Sequence, residues 1–292
     1  MKEIFKNFKF LTEYILVSFL FLILNILPLK LSSKIGGVLF KLFGKYSKSH
    51  ITALTNCKNV FPNLEKNEIN NIVQKSWENL GQTIFELGNL KKLFSKKDLI
   101  KINGTKNIKD ILNNKTPVIF FSIHYANWEI HVPLLDRLGF SIGAIYRHIN
   151  NELINNFVLK KRTRALKSKN SFYTPKGIKS AKDILEAIKR KKSIFLLIDQ
   201  KDSAGDNVPF FKKIVKTQTG FLKIARKYNI PIVPIENKRL KDGGYSITFN
   251  KPIFHNNLEE TDIDMMIKIH TIIEKWIIND PNQWFWQHNR FN

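Results

Sequence analysis

His124 and Glu129 lie five positions apart in the segment HYANWE, directly after the apolar run PVIFFSI from Pro117 to Ile123. An imidazole titrates near neutral pH and can take the proton of a hydroxyl, and a carboxylate within hydrogen-bond reach can orient it for that task. Five residues of regular helix turn about 500°, which would leave the two side chains roughly 140° apart on opposite faces. The pair meets if His124 stands in a strand-to-helix turn and Glu129 in the first helical turn, with Asn127 as N-cap and Glu129 near the positive end of the helix dipole. Six residues match by chance often, and the alternative is a histidine that satisfies a loop carbonyl beside an acid at a helix start. The rest of the chain has to separate the two.

Apolar runs of strand length recur at 117–123, 140–146, 193–198, 230–235 and 245–250, and helix-like stretches at 127–138, 151–166, 177–191, 217–228 and 261–279 fill most of the intervals. This alternation predicts a layered α/β domain with a largely parallel sheet. Residues 49–98 read as helical, punctuated by Pro62. Polar residues then fall at strand ends: His124 after the first run, Arg147 after the second, Asp199 and Gln200 at the end of the third, Glu236 and Asn237 after the fourth. Carboxyl ends of parallel strands share one rim, where open α/β sheets bind ligands, so these residues are expected to converge on one crevice. Strand ends also emerge toward water and carry polar residues for that reason alone.

The formal net charge of +24 suggests nucleic acid, an anionic membrane or an acidic protein as partner. No zinc-finger, helix-turn-helix or RNP signature accompanies it, which favours membrane or acidic protein. Only eight of the 48 basic residues are Arg, and four of those lie between 137 and 164, a cluster suited to bidentate binding of phosphate or carboxylate. Cys57 is the single cysteine, so there is neither a disulfide framework nor a Cys-based metal site. The uncharged stretch from Tyr14 to Leu29, extended by Leu11 and flanked by Lys9 and Lys30, reads as a membrane span or deep anchor over 11–29. Lysines at 30, 34, 41, 45 and 48 outnumber those at 2, 6 and 9, which places the main domain in the cytoplasm. The expected organisation is an anchor and basic juxtamembrane segment over 1–48 and a catalytic domain over 49–292, divided into a helical lead-in (49–103) and an α/β core (104–292).

A histidine oriented by a carboxylate suits direct transfer of an activated acyl group to a hydroxyl. Ser122 would face the same side of its strand as His124, but no G-x-S-x-G elbow supports a covalent serine mechanism. The motif series, from HYANWE through Tyr146-Arg147, Asn151, KRTR (161–164), LIDQ (197–200), VPFF (208–211), Thr217/Thr219/Gly220, IPIVP (230–234) to the terminal PNQWFWQHNRF, resembles in order the late acyltransferases of lipid A biosynthesis, the lauroyl and myristoyl transferase family, which share an H-x4-D/E motif with glycerolipid acyltransferases. Lys212 stands where that family usually has Gly. The resemblance implies a glycerolipid-acyltransferase-like α/β fold behind a membrane-anchoring helix, and an inner-membrane enzyme facing the cytoplasm. It implies transfer of a fatty acyl chain from acyl carrier protein to a hydroxyl of an anionic lipid A precursor, without metal or cofactor; another lipid acceptor, or a non-catalytic lipid-binding protein, are the alternatives. His124 would then be the general base and Glu129 its orienting partner, with Arg147, Arg162, Arg164, Asp199 and Gln200 binding substrate or organising the site. The Trp284/Trp286 pair fits either the bilayer interface or the core.

Overall fold

A computed structural model describes residues 2–96, 98–257 and 259–291. The chain opens with α1 (Lys2–Ile26), 25 residues that rise about 37 Å at 1.5 Å per residue. Within Glu3–Ile26 an 18-residue window has a mean hydropathy of 1.7, enough by length and composition to cross a membrane, and only 11% of that window is buried. Phe8, Leu16, Phe19 and Ile26 stand exposed while Phe21 and Leu24 are buried, and Phe21 meets Phe157 edge to face at 5.3 Å. The apolar run expected to continue to 29 breaks at Leu27, because Pro28 is extended (φ −56, ψ 139) and starts a second helix, α2 (Leu29–Phe43).

Helices α3 (Ser49–Val60), α4 (Lys66–Leu87) and the short α5 (Leu90–Leu93) follow. Glu68 reaches back to the Glu65 N–H at 2.9 Å and closes the start of α4. Two glycines let α2 and α4 touch backbone to backbone: a Cβ on Gly81 would lie 2.1 Å from the Gly36 carbonyl oxygen, and one on Gly36 would lie 2.5 Å from that of Gly81.

The remaining chain alternates β1 (Ile100–Asn103), α6 (Lys109–Asn113), β2 (Ile119–Ser122), α7 (His131–Arg137), β3 (Ile142–Tyr146), α8 (Glu152–Arg164), β4 (Phe172–Pro175), α9 (Ile178–Lys189) and β5 (Ser193–Leu197). It continues with β6 (Asp206–Phe210), β7 (Lys213–Thr217), α10 (Gly220–Tyr228), β8 (Ile232–Arg239), β9 (Tyr245–Phe249) and α11 (Asp262–Asn279). Seven strands form one sheet in the order β1-β9-β8-β2-β5-β3-β4, parallel throughout except at the antiparallel β8/β9 pair. The fold is therefore α/β with a largely parallel sheet, as the alternation of apolar runs predicts. All four β2 residues are buried, with Phe121 beside Trp276 of α11 on one face and Phe120 against Phe140 (4.9 Å) on the other. Burial on both faces explains an apolar run without alternation.

Three departures matter below. β1 lies just past the stretch read as helical (49–98), within the expected lead-in (49–103), and pairs in parallel with β9, while α2, on the near side of the expected 48/49 boundary, packs on α4. β6 and β7 form a separate hairpin whose turn residues Phe211 and Lys212 take φ of 48° and 61°, conformations that glycine adopts without strain. β8 runs on to Arg239, so Glu236 and Asn237 sit within a strand, opposite Thr248 and Ile247, rather than at a strand end.

Candidate functional site

β2 and β5 are neighbours in register, Ser122 opposite Leu197, so the residues just past their carboxyl ends meet. His124 Nδ1 lies 2.8 Å from Asp199 Oδ1, and the His124 backbone N–H donates to Asp199 Oδ2 at 3.1 Å. The Trp284 indole N–H donates to the same Oδ2 at 2.8 Å. Burial pushes the Asp199 carboxyl up, but His124 and the two N–H donors outweigh it and hold the group below the ordinary Asp value. An ionised carboxylate only accepts, so Nδ1 carries the hydrogen of this bond, and in the neutral form of the ring the lone pair sits on Nε2. The Gln200 amide nitrogen is 3.4 Å from that Nε2.

The carboxylate on His124 is thus Asp199 and not Glu129, which corrects the pairing expected from the motif. Asn127 does cap the turn, its side-chain oxygen accepting the Glu129 N–H at 3.1 Å, and residues Trp128–Ile130 form a 3-10 turn leading into α7. Glu129, however, turns its carboxylate to α8, where Arg162 holds it through two bonds, Nε to Oε2 at 2.8 Å and Nη2 to Oε1 at 2.6 Å. No hydrogen bond joins Glu129 to His124 among the described residues. Burial raises the Glu129 carboxyl and Arg162 lowers it further, so it stays ionised, and the His124 ring lies within reach of its field.

The cationic residues do not share one place. Arg162 is committed to Glu129. Arg147 is exposed just past β3, without a hydrogen-bond or ion-pair partner among the described residues, and its charge is felt at His288. Arg164, about 200° further round α8, lines a different recess with Lys91, Lys92, Lys161 and Asn25. One alternative at the site closes: the Ser122 hydroxyl donates to the Ile235 carbonyl at 2.8 Å; Cys57 lies apart in α3, where burial pushes its thiol up to about 12.

The C-terminal segment supplies what the motif spacing did not point to. Phe285 donates its N–H to the His124 carbonyl at 2.9 Å, and the Trp128 and Phe285 rings flank the imidazole at 5.1 and 6.0 Å. His288 Nε2 accepts the Lys201 N–H at 2.9 Å, and burial lowers its pKa to about 4, which keeps it neutral. Trp284 and Trp286 are 2% and 0% exposed and meet at 4.5 Å, so they belong to the core and not to a bilayer interface. The tail motif signalled importance, but no spacing rule connects residue 284 to residue 199.

A family description, bacterial lipid A biosynthesis acyltransferase, matches residues 1–292. The lipid A biosynthesis acyltransferase of Haemophilus influenzae is 24% identical over 248 residues, 82% of this chain and 76% of that protein. The lipid A biosynthesis lauroyltransferase of Escherichia coli is 24% identical over 273 residues, 91% of this chain and 86% of that protein. Among solved structures, the 1-acyl-sn-glycerophosphate acyltransferase PlsC from Thermotoga maritima aligns with 86% of this chain and 99% of its own at 13% identity and a TM-score of 0.40, a similarity too distant to bear on function.

Proposed function

The chain belongs to the bacterial lipid A biosynthesis acyltransferase family, and from that premise we propose that His124 is the general base for acyl transfer from acyl carrier protein to a hydroxyl of a lipid A precursor. The observation that carries this reading is the 2.8 Å contact between His124 Nδ1 and a buried, ionised Asp199, which makes Nε2, 3.4 Å from the Gln200 amide nitrogen, the ring atom to accept a proton. The acceptor oxygen forms a bond to the thioester carbonyl carbon as its proton passes to Nε2. The tetrahedral intermediate then collapses, the C–S bond breaks, and the thiolate leaves and takes the proton back from the imidazolium. Asp199 faces the positive charge that forms on the ring and strengthens its hydrogen bond at that moment, the behaviour that lowers a barrier. Gln200, beside Nε2, flanks the reacting oxygens.

In this reading Glu129 and Arg162 form a fixed ion pair beside the imidazole, and exposed Arg147 is the guanidinium open to a phosphate of donor or acceptor. A net charge of +24 steers an acidic carrier protein toward the surface. α1 supplies the anchor, crossing or lying deep in the inner membrane with the catalytic domain on the cytoplasmic side. Purified protein given acyl carrier protein thioester and a tetra-acylated precursor should yield the penta-acylated product by mass spectrometry. His124→Ala should lose at least ~10²-fold in kcat. Full activity in that variant overturns the mechanism, transfer only to glycerophospholipid reassigns the acceptor, and lipid binding without turnover identifies a non-catalytic binder.

A further inference from the structure

The turn that carries His124 contains a strained residue: Ala126 takes φ of 50°, in the left-handed region that a side chain disfavours. Such a conformation persists where its surroundings over-determine it. The surroundings here are one face of α4, where Asn79, Thr83 and Glu86 recur at helical spacing. Asn79 Nδ2 donates to the Ala126 carbonyl at 3.1 Å, and the Thr83 hydroxyl, with one proton to give, lies 2.8 Å from the same carbonyl and 2.9 Å from that of Asn79. Glu86 accepts Asn127 Nδ2 at 2.7 Å, which aims the other side-chain atom of Asn127, Oδ1, at the Glu129 N–H. Asn237 of β8 donates to the Asn127 carbonyl at 2.8 Å and holds the turn from the sheet side.

Glu86 is 2% exposed and is more heavily bonded than a helix-surface acid needs to be. Arg239 reaches it with Nη1 at 2.6 Å and Nη2 at 3.1 Å, Ser33 of α2 donates at 2.6 Å, and the Tyr245 hydroxyl bonds the same oxygen as Asn127. Five donor atoms from α2, the turn, β8 and β9 therefore converge on one carboxylate. We propose that the Asn79/Thr83/Glu86 stripe of α4, with Glu86 as its principal member, is the positioning element for the proposed reaction: it holds the Ala126–Asn127 turn so that His124 faces Asp199 while Glu129 faces Arg162. None of the three touches His124, so they act through the turn. Ser33 extends the same carboxylate's contacts to the helix that follows α1, which makes the turn's geometry sensitive to how α2 sits on α4. The inference rests on the acyl-transfer reading for its kinetic consequences and on geometry alone for its structural ones.

The test is a cycle of Glu86→Gln, Asn127→Asp and the double variant in the full-length, detergent-solubilised protein. Glu86→Gln leaves an amide that can present a donor to Asn127 Nδ2, and Asn127→Asp places a second carboxylate against Glu86; the double variant restores the bond between the two side chains with its direction reversed, while the Tyr245 and Arg239 donors at the same atom stay facing the amide. Each single variant should lose about 10- to 100-fold in kcat at a temperature well below its melting point, with KM for both substrates within about threefold, as expected for transition-state positioning. The double variant should lose less than the sum of the two single losses on a logarithmic scale, the shortfall reporting the restored bond. Amide exchange over 124–130 should quicken in the single variants and slow again in the double. Unchanged kcat with a lowered melting temperature alone, or additive losses in the double variant, overturns the proposal. A wild type inactive with every donor and acceptor refutes the acyl-transfer reading instead, and the exchange pattern together with the carbethoxylation rate of His124 then decides the positioning claim. Should Glu86→Gln fail to fold, Thr83→Val removes one bond to the Ala126 carbonyl without stranding a charge and must show the same split between kcat and KM.

Discussion

Asp199→Asn separates the two carboxylates that could serve His124. Two donors, the Trp284 indole N–H at 2.8 Å and the His124 backbone N–H at 3.1 Å, face Asp199 Oδ2, so an amide in that place keeps its oxygen toward them. Its NH2 then points at Nδ1, which must become the acceptor, and the ring proton moves to Nε2, where the acceptor hydroxyl has to deliver its own. The variant thus loses both the carboxylate under the developing imidazolium and the working tautomer. A hydrogen bond to a charged group contributes about 1.5–3 kcal/mol, and the tautomer penalty adds to it, so ~3–5 kcal/mol of transition-state stabilisation should disappear. At 1.36 kcal/mol per factor of ten this is a fall in kcat of about 10²- to 10⁴-fold, with KM nearly unchanged because neither bond touches bound substrate. The assay is transfer from acyl carrier protein thioester to the lipid precursor, followed by mass spectrometry, with circular dichroism to establish that the fold survives. Glu129→Gln, measured in parallel, should cost kcat less. Near wild-type kcat for Asp199→Asn beside a 10²-fold loss for Glu129→Gln would refute the assignment and return the orienting role to the motif acid.

Two further outcomes follow from the packing. Gly81→Ala puts a Cβ 2.1 Å from the Gly36 carbonyl oxygen, backbone that cannot rotate away, so α2 and α4 must separate; a loss of about 1–3 kcal/mol or more should appear as a lowered midpoint in thermal unfolding. His131 and His270 are buried with pKa values lowered to about 4 by desolvation, and each donates Nδ1–H to a carbonyl, of Trp128 at 2.9 Å and Pro209 at 2.6 Å. Below 6.5 the unfolded chain binds protons that the folded chain refuses, so stability should fall as pH drops from about 6.5 to about 4, by roughly 3 kcal/mol for each group, and unfolding midpoints across that range check it.

The fold class was legible because a strand buried on both faces cannot hide in a sequence: PVIFFSI, SIFLL and IPIVPI announce parallel strands by the absence of alternation. The strands that escaped notice were the weakly patterned ones. IKIN is a short edge strand, FYTP and DNVPF each contain a proline, KIVKT has only two apolar residues between lysines, and none has a run long enough to outweigh the helix signals around it. The apolar character of the N-terminal helix was equally legible, whereas its end at Ile26 depended on how Pro28 turns the chain.

For the site, the sequence by itself determined that a histidine follows the central strand, that an asparagine caps the turn after it, and that an acid and an amide, Asp199 and Gln200, end another strand. It could not determine which carboxylate reaches the imidazole. Neighbours in sequence need not be neighbours across a turn, and the choice was made by two long-range facts: β2 and β5 lie side by side, and α8 brings Arg162 to Glu129. Opposite charges pair where burial leaves them no water, so Arg162 holds Glu129 away from His124, and Asp199, 75 positions on, takes its place.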